Sequence, residues 1–177
     1  MGGDVSFTRL KQFLKPCLER KNVFVTTFID LYGSKNLPAY QDSLNKNCLY
    51  EKMEFLEKSL YEQINQELKC GNKFIPYIQP YEIEALLFSD ITKFSYIPNV
   101  KDKQIDALYE IRQKFDTPEH INNSEYTAPS KRIKSIIKNY NKPLHGKIIT
   151  EQIGLEKIKQ ECKHFASWLE ILKSLNT

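Results

Sequence analysis

Three carboxylates stand where two predicted strands end. Asp30 closes an apolar, β-branched run over residues 23–29, and Glu82 and Glu84 follow a second run over residues 73–79. In open α/β sheets, ligands bind just beyond the carboxyl ends of the strands. Mg²⁺ takes carboxylate oxygens, typically one or two together with water and substrate phosphate. The spacing therefore predicts a divalent-cation site built from Asp30, Glu82 and Glu84.

The two glutamates are not equivalent in this prediction. Residues two apart on a helix diverge by about 200°, so both side chains cannot point at one ion. Glu84 directly precedes Ala85-Leu86-Leu87, an unusual place for a charge, and we favour it as the functional one. The alternative is that Glu82 and Glu84 only cap a helix start and that Asp30 only caps a turn into Gly33.

A second group of candidate residues is basic. The segment 126–150 holds six basic residues and no acidic one, although the whole chain carries a net charge of only +4. Ser130-Lys131-Arg132 opens a predicted helix, and helix starts beside cations bind phosphate readily. Further along stand Lys142, His145 and Lys147. These residues predict a phosphate or nucleic-acid contact, and the alternative is a solvated lysine face.

The elements that must position these residues follow from periodicity. The run 23–33 predicts a strand buried on both faces, and the run 73–79 predicts an edge strand because Pro76 cannot donate to a ladder. The apolar stripe from Leu49 to Leu68, ended by Gly71, predicts a core helix. Other helices are predicted over residues 6–19, 80–88, 101–115 and 130–138, and over the last thirty residues in short pieces broken at Gly154 and Lys163.

Length and composition narrow the function classes. A chain of 177 residues with ordinary apolar and charged fractions predicts one α/β domain over residues 1–177, with a helical C-terminal part from about 101. We expect a cytoplasmic chain, since no apolar stretch is long enough to span a bilayer and the start is unlike a signal peptide. The four separated cysteines predict reduced thiols, and the phosphate-loop and dinucleotide glycine motifs are absent.

The ordered motifs of the chain resemble the bacterial family catalogued as domain of unknown function 4276. The strings that carry the resemblance are VTTFIDLYG at 25–33, FIPYIQ at 74–79, EIEALLF at 82–88, TAPSKR at 127–132, LHG at 144–146, IGL at 153–155 and CKHF at 162–165. They cover essentially the whole chain. The family is similar to Toprim-type nucleases, so the resemblance implies a Rossmann-like, three-layer fold with a small, mostly parallel sheet.

The resemblance also implies an activity and partners. It points to a Mg²⁺- or Mn²⁺-dependent nuclease subunit of an anti-phage or abortive-infection system, encoded beside an ABC- or AAA-type ATPase. Asp30 and, by position, Glu84 are the implied metal ligands. Lys131, Arg132, Lys142 and His145 would hold phosphate or stabilise charge. Nucleic acid is the expected substrate, and a homodimer fits the same picture.

One departure from the family pattern matters. Members usually open with a strand that ends in an E-G-x-T-E-like motif, whereas Met1-Gly2-Gly3-Asp4 corresponds to the glycine-rich point after it. The expectation is therefore an N-terminally truncated chain without the first strand and its glutamate. Two further functions stay open beside the nuclease: a non-catalytic partner of an ATPase, and a non-specific nucleic-acid-binding module.

Overall fold

The computed structural model describes residues 5–122 and 124–175, with the side chain of residue 125 left out. It divides into two compact units, Met1–Pro80 and Tyr81–Thr177. The prediction of one domain over residues 1–177 stays a prediction. The first residues of the expected pattern, Met1 to Asp4, lie outside the described part.

The first unit combines helices with short parallel strands. Its helices are α1 (Phe7–Leu18), α2 (Tyr40–Ser43) and α3 (Leu49–Leu68), and its strands are β1 (Val25–Thr26), β2 (Ile29–Asp30), β3 (Phe74–Ile75) and β4 (Ile78–Gln79). β1 pairs with β3, and β2 pairs with β4, both in parallel. This arrangement confirms the predicted α/β class with a small parallel sheet.

Both predicted strands are broken in the middle. Residues 27–28 interrupt the first and residues 76–77 interrupt the second. At the break the Thr27 hydroxyl accepts the Tyr77 N–H at 2.9 Å and donates to the Tyr77 carbonyl at 3.2 Å. Pro76 has no N–H to offer a neighbouring strand, and this side-chain bridge adds to the backbone bond from the Ile29 N–H to the Tyr77 carbonyl at 3.3 Å.

The prediction that the run 23–33 is buried on both faces was wrong. Thr27, Ile29 and Leu31 are buried, whereas Phe24 and Phe28 are exposed. Alternation of this kind is what a strand shows when one face packs on a core and the other does not. The β-branched composition indicated a strand, but it did not report how many faces are covered.

The core of the first unit lies on α3. Met53, Leu56, Leu60 and Ile64 recur at helical spacing and are fully buried, as the stripe predicts. The helix ends at Leu68, and Lys69 adopts the left-handed conformation after it. The end therefore comes before Gly71, the residue expected to stop the helix.

The second unit is helical. Its α-helices are α4 (Asp102–Arg112), α5 (Pro129–Ile136), α6 (Lys142–Ile153), α7 (Leu155–Glu161) and α8 (Lys163–Ser174). Four 3-10 helices complete it: Ile83–Ser89, Ile91–Tyr96, Pro118–His120 and Glu125–Thr127. The break at Gly154 is as predicted, with Gly154 at a positive φ of 77°. The stretch after Pro80 is a 3-10 helix where a short helix was expected.

Candidate functional site

The predicted site residues are divided between the two units. Asp30 ends β2 in the first unit and is half-buried. All the others lie in the second unit: Glu82, Glu84, Ser130, Lys131, Arg132, Lys142, His145 and Lys147. The candidate site described below is therefore the one that the second unit forms by itself.

Glu84 is one of two buried glutamates described in this unit, the other being Glu119. It belongs to the apolar 3-10 helix Ile83–Ser89, and only 2% of its surface is exposed. The Lys142 ammonium, at the first residue of α6, lies 2.8 Å from its Oε2 atom. Its Oε1 atom accepts no hydrogen bond from the described residues. Buried polar atoms are normally satisfied, so an unpartnered buried oxygen at this position is unusual.

The surroundings of Glu84 act on its pKa in opposite directions. Burial raises the pKa of the Glu84 carboxyl above its ordinary value, and the ion pair with Lys142 opposes this rise. The nearby charge of Glu82 raises the same pKa further. A carboxyl whose pKa is raised in this way exchanges a proton closer to neutral pH than an exposed glutamate does.

Glu82 has a structural partner. Its Oε2 atom accepts the backbone N–H of Ser130 at 2.9 Å, in the first turn of α5. A carboxylate at a helix start satisfies an orphan amide and interacts well with the helix dipole. The capping role left open by the sequence is thus real for Glu82, although the capped helix is α5 and not its own.

The start of α5 is occupied by its own contacts. The amides of Lys131 and Arg132 both donate to the Ala128 carbonyl, at 2.9 and 3.0 Å. Arg132 Nε donates to the Thr127 carbonyl at 2.7 Å, and its guanidinium lies over the Phe115 ring. The amides of the first turn are therefore engaged. A phosphate at this end would be bound mainly by the exposed Lys131 side chain.

His145 is held in one orientation. It is buried on α6, and its Nδ1 atom accepts the Asn141 N–H at 3.0 Å. In the neutral ring the proton then sits on Nε2, which is the donor. Asn141 also begins the helix, because its side-chain oxygen accepts the Leu144 N–H at 3.1 Å.

Tyr140 is a site residue that sequence reasoning missed. Its hydroxyl is buried and has no hydrogen-bond partner among the described residues, and its ring stands 5.9 Å from that of His145. Burial, followed by the charges of Glu84 and Glu82, raises the pKa of the phenol, so the hydroxyl keeps its proton as a donor. The available signal was its place between Lys138 and Lys142 in the basic segment.

Gly146 brings Tyr140 and Glu84 to one face of α6. A Cβ atom at Gly146 would lie 3.4 Å from the Tyr140 hydroxyl. Gly146 is four residues after Lys142, so the two positions are neighbours on the helix surface. The Tyr140 hydroxyl thus lies over Gly146, and the Lys142 ammonium that pairs with Glu84 comes from the preceding turn of the same helix.

The fit of this site to a divalent cation rests on one oxygen. Glu84 Oε1 is an unpartnered carboxylate oxygen, which is the donor type that Mg²⁺ takes. Across residues 5–122 and 124–175, no group of three or more histidine, cysteine, aspartate or glutamate side chains is arranged to hold a metal. Glu84 would therefore be a single protein ligand, and because it is buried, water and substrate reach it only if the side chains over it move.

Comparison with known proteins identifies a family. The family described as "Domain of unknown function (DUF4276)" matches residues 1–173. No curated protein and no solved structure matches the chain. Among the described residues, no helix is long and apolar enough to cross a membrane.

Proposed function

Because this chain belongs to the DUF4276 family, whose function is unknown, we propose from its own residues that it is a metal-dependent nuclease subunit centred on Glu84. The observation that carries the proposal is the buried Glu84 carboxylate, which has Lys142 at 2.8 Å on one oxygen and no partner on the other. Lys142 belongs to a segment that has six basic residues and no acidic residue between Tyr126 and Thr150.

The residues divide the work of phosphodiester hydrolysis among them. Glu84 Oε1 would hold Mg²⁺ or Mn²⁺, which when bound polarises a phosphoryl oxygen and lowers the pKa of water. Lys142 and the Nε2–H group of His145 supply positive charge and a hydrogen-bond donor for phosphate oxygens. The protonated Tyr140 hydroxyl adds a second donor on the same face of α6.

The test is cleavage of labelled single- and double-stranded DNA and RNA by the full chain, with Mg²⁺ or Mn²⁺ and with a chelator. Glu84→Gln should reduce metal-dependent cleavage roughly 100-fold or more, as expected for a residue that acts in the chemical step. Glu151→Gln is the matched control, because Glu151 is an exposed glutamate on α6 paired only loosely with Lys147 at 3.8 Å. Equal cleavage by wild type and Glu84→Gln would overturn the proposal.

The role of Asp30 is tested separately. It is proposed as a second metal ligand on the resemblance alone, so Asp30→Ala should also abolish cleavage. Wild-type activity in that variant would remove Asp30 from the site and leave the assignment of Glu84 untouched.

A second candidate function is a nucleic-acid-binding module. The observation that favours it is the ion pair itself, because Lys142 already neutralises Glu84. This alternative gives salt-dependent binding with no cleavage under any metal condition. The resemblance adds a proposed setting for either function, namely an anti-phage system in the bacterial cytoplasm with an ATPase partner.

A further inference from the structure

The residue that begins the basic segment is the most exposed large ring in the second unit. Tyr126 lies in the 3-10 helix Glu125–Thr127, and 91% of its surface is exposed. Leaving an aromatic ring in water forgoes the stabilisation that burial would give. Single exposed apolar residues are common, so exposure alone assigns no role, and the contacts and charges around the ring decide the question.

The backbone that carries this ring is anchored. The Thr127 carbonyl accepts Arg132 Nε at 2.7 Å, and the Thr127 N–H donates to the Ser124 carbonyl at 3.0 Å. Arg132 is itself fixed over the Phe115 ring. The 3-10 helix that bears Tyr126 is therefore tied to the first turn of α5, the turn that also carries Lys131.

The segment of chain that follows Tyr126 carries charge of one sign. Glu125 precedes Tyr126, and the next acidic residue in the chain is Glu151. Between them, Lys131, Lys134 and Lys138 are exposed, whereas Lys142 is paired with Glu84 and Lys147 lies near Glu151. A phosphate backbone is attracted to such a segment. An exposed ring beside it can stack on a base, and every base has a face that stacks.

We propose that Tyr126 stacks on an unpaired base of single-stranded nucleic acid whose phosphates lie along the basic segment that starts at Lys131. This inference deepens the proposed function and rests on it only in taking nucleic acid as the ligand. A base inside a duplex already stacks on its neighbours, so the ring discriminates for unpaired strands.

The test is equilibrium binding of the full chain, in a chelator, to a labelled single-stranded oligonucleotide and to the matched duplex. Tyr126→Ala should weaken single-strand binding roughly five-fold or more, and leave duplex binding and the salt dependence of both unchanged. Tyr126→Phe, which keeps the ring, should bind like wild type. The control is Tyr96→Ala, which removes a half-exposed tyrosine of the same unit and should leave binding to both ligands unchanged.

The Lys131→Glu variant separates the contribution of charge to binding from the contribution of stacking. This variant should weaken single-strand and duplex binding alike and reduce their salt dependence. Full single-strand affinity in Tyr126→Ala overturns the inference, and so do equal losses on both ligands or no binding of nucleic acid at all. If the wild type binds as described but never cleaves, the proposed nuclease fails while the role of Tyr126 stands.

Discussion

At the scale of single residues, Glu84 couples the stability of the second unit to pH. Its pKa is raised by burial, so the folded chain keeps the Glu84 proton to a higher pH than the unfolded chain does. The stabilisation from this proton is fully present below the ordinary glutamate pKa of 4.5. It is lost as pH rises through the raised value, at about 1.4 kcal/mol for each unit by which the pKa is raised.

Glu84→Gln should remove this contribution. We expect the free energy of unfolding of the wild type, measured against that of Glu84→Gln in denaturant, to fall as pH rises from 4 toward neutrality. Lys142→Met should make the total fall larger, because Lys142 is the group that lowers the pKa of Glu84. If the difference in free energy of unfolding between the wild type and Glu84→Gln is constant with pH, the raised pKa of Glu84 is contradicted. Glu151→Gln serves as the exposed control.

Two buried tyrosines give a second prediction at this scale. The Tyr140 hydroxyl has no partner among the described residues, whereas the Tyr77 hydroxyl donates to Gln79 Oε1 at 2.7 Å. Tyr77→Phe should cost about 1–3 kcal/mol, because it leaves a buried acceptor unsatisfied. Tyr140→Phe should leave the free energy of unfolding unchanged or raise it, and denaturant unfolding of the two variants measures both.

A loss in Tyr140→Phe as large as that in Tyr77→Phe would show that the Tyr140 hydroxyl is bonded in solution. If Tyr140→Phe keeps its stability but loses nucleic-acid cleavage, the hydroxyl serves the substrate and not the fold.

At the scale of elements, α8 depends on a carboxylate from another part of the second unit. Glu119 is fully buried, and its two oxygens accept the N–H groups of His164 and Phe165, at 3.1 and 3.0 Å. These amides belong to the first turn of α8 and would otherwise be orphans.

Removing this cap should destabilise the chain. Hydrogen bonds to a charged group contribute about 1.5–3 kcal/mol each, so the loss of two in Glu119→Ala is expected to cost about 3–6 kcal/mol by thermal or denaturant unfolding. Glu156→Ala is the control, since Glu156 is an exposed glutamate in the first turn of α7. Equal stability of the two variants would show that water caps α8 as well as Glu119 does.

At the scale of the whole molecule, the sequence predicted what is local and missed what is distant. Periodicity placed α3 and its buried stripe, and glycine placed the break at Gly154, because both signals lie within a few residues. The burial of Glu84 was indicated by its apolar neighbours. The sequence could not indicate its partner Lys142, because Lys142 lies 58 positions away. Only packing brings α6 against the 3-10 helix that carries Glu84.

The basic segment shows the same limit. Its six positive charges were plain in the sequence, and they suggested one surface. In the structure they serve different ends: Arg132 holds a loop carbonyl, Lys142 neutralises a buried carboxylate, and Lys131 is exposed. A count of charges cannot distinguish these uses, since each depends on a partner that the chain reaches only after folding.

The hydroxyl at Thr27 has a consequence for how the first unit avoids misalignment. In most sheets, a slip by one residue is prevented only because it turns apolar side chains to water. Here the alignment of residues 25–30 with 74–79 is also specified chemically, because Thr27 is bonded to both backbone groups of Tyr77. A shift in one direction would face that pair of groups with Phe28, which has no hydroxyl, and a shift in the other would take the Thr26 hydroxyl away from the Ile75 carbonyl, to which it donates at 2.6 Å. Thr27 thus helps to fix the register of two strand pairs that are each only two residues long.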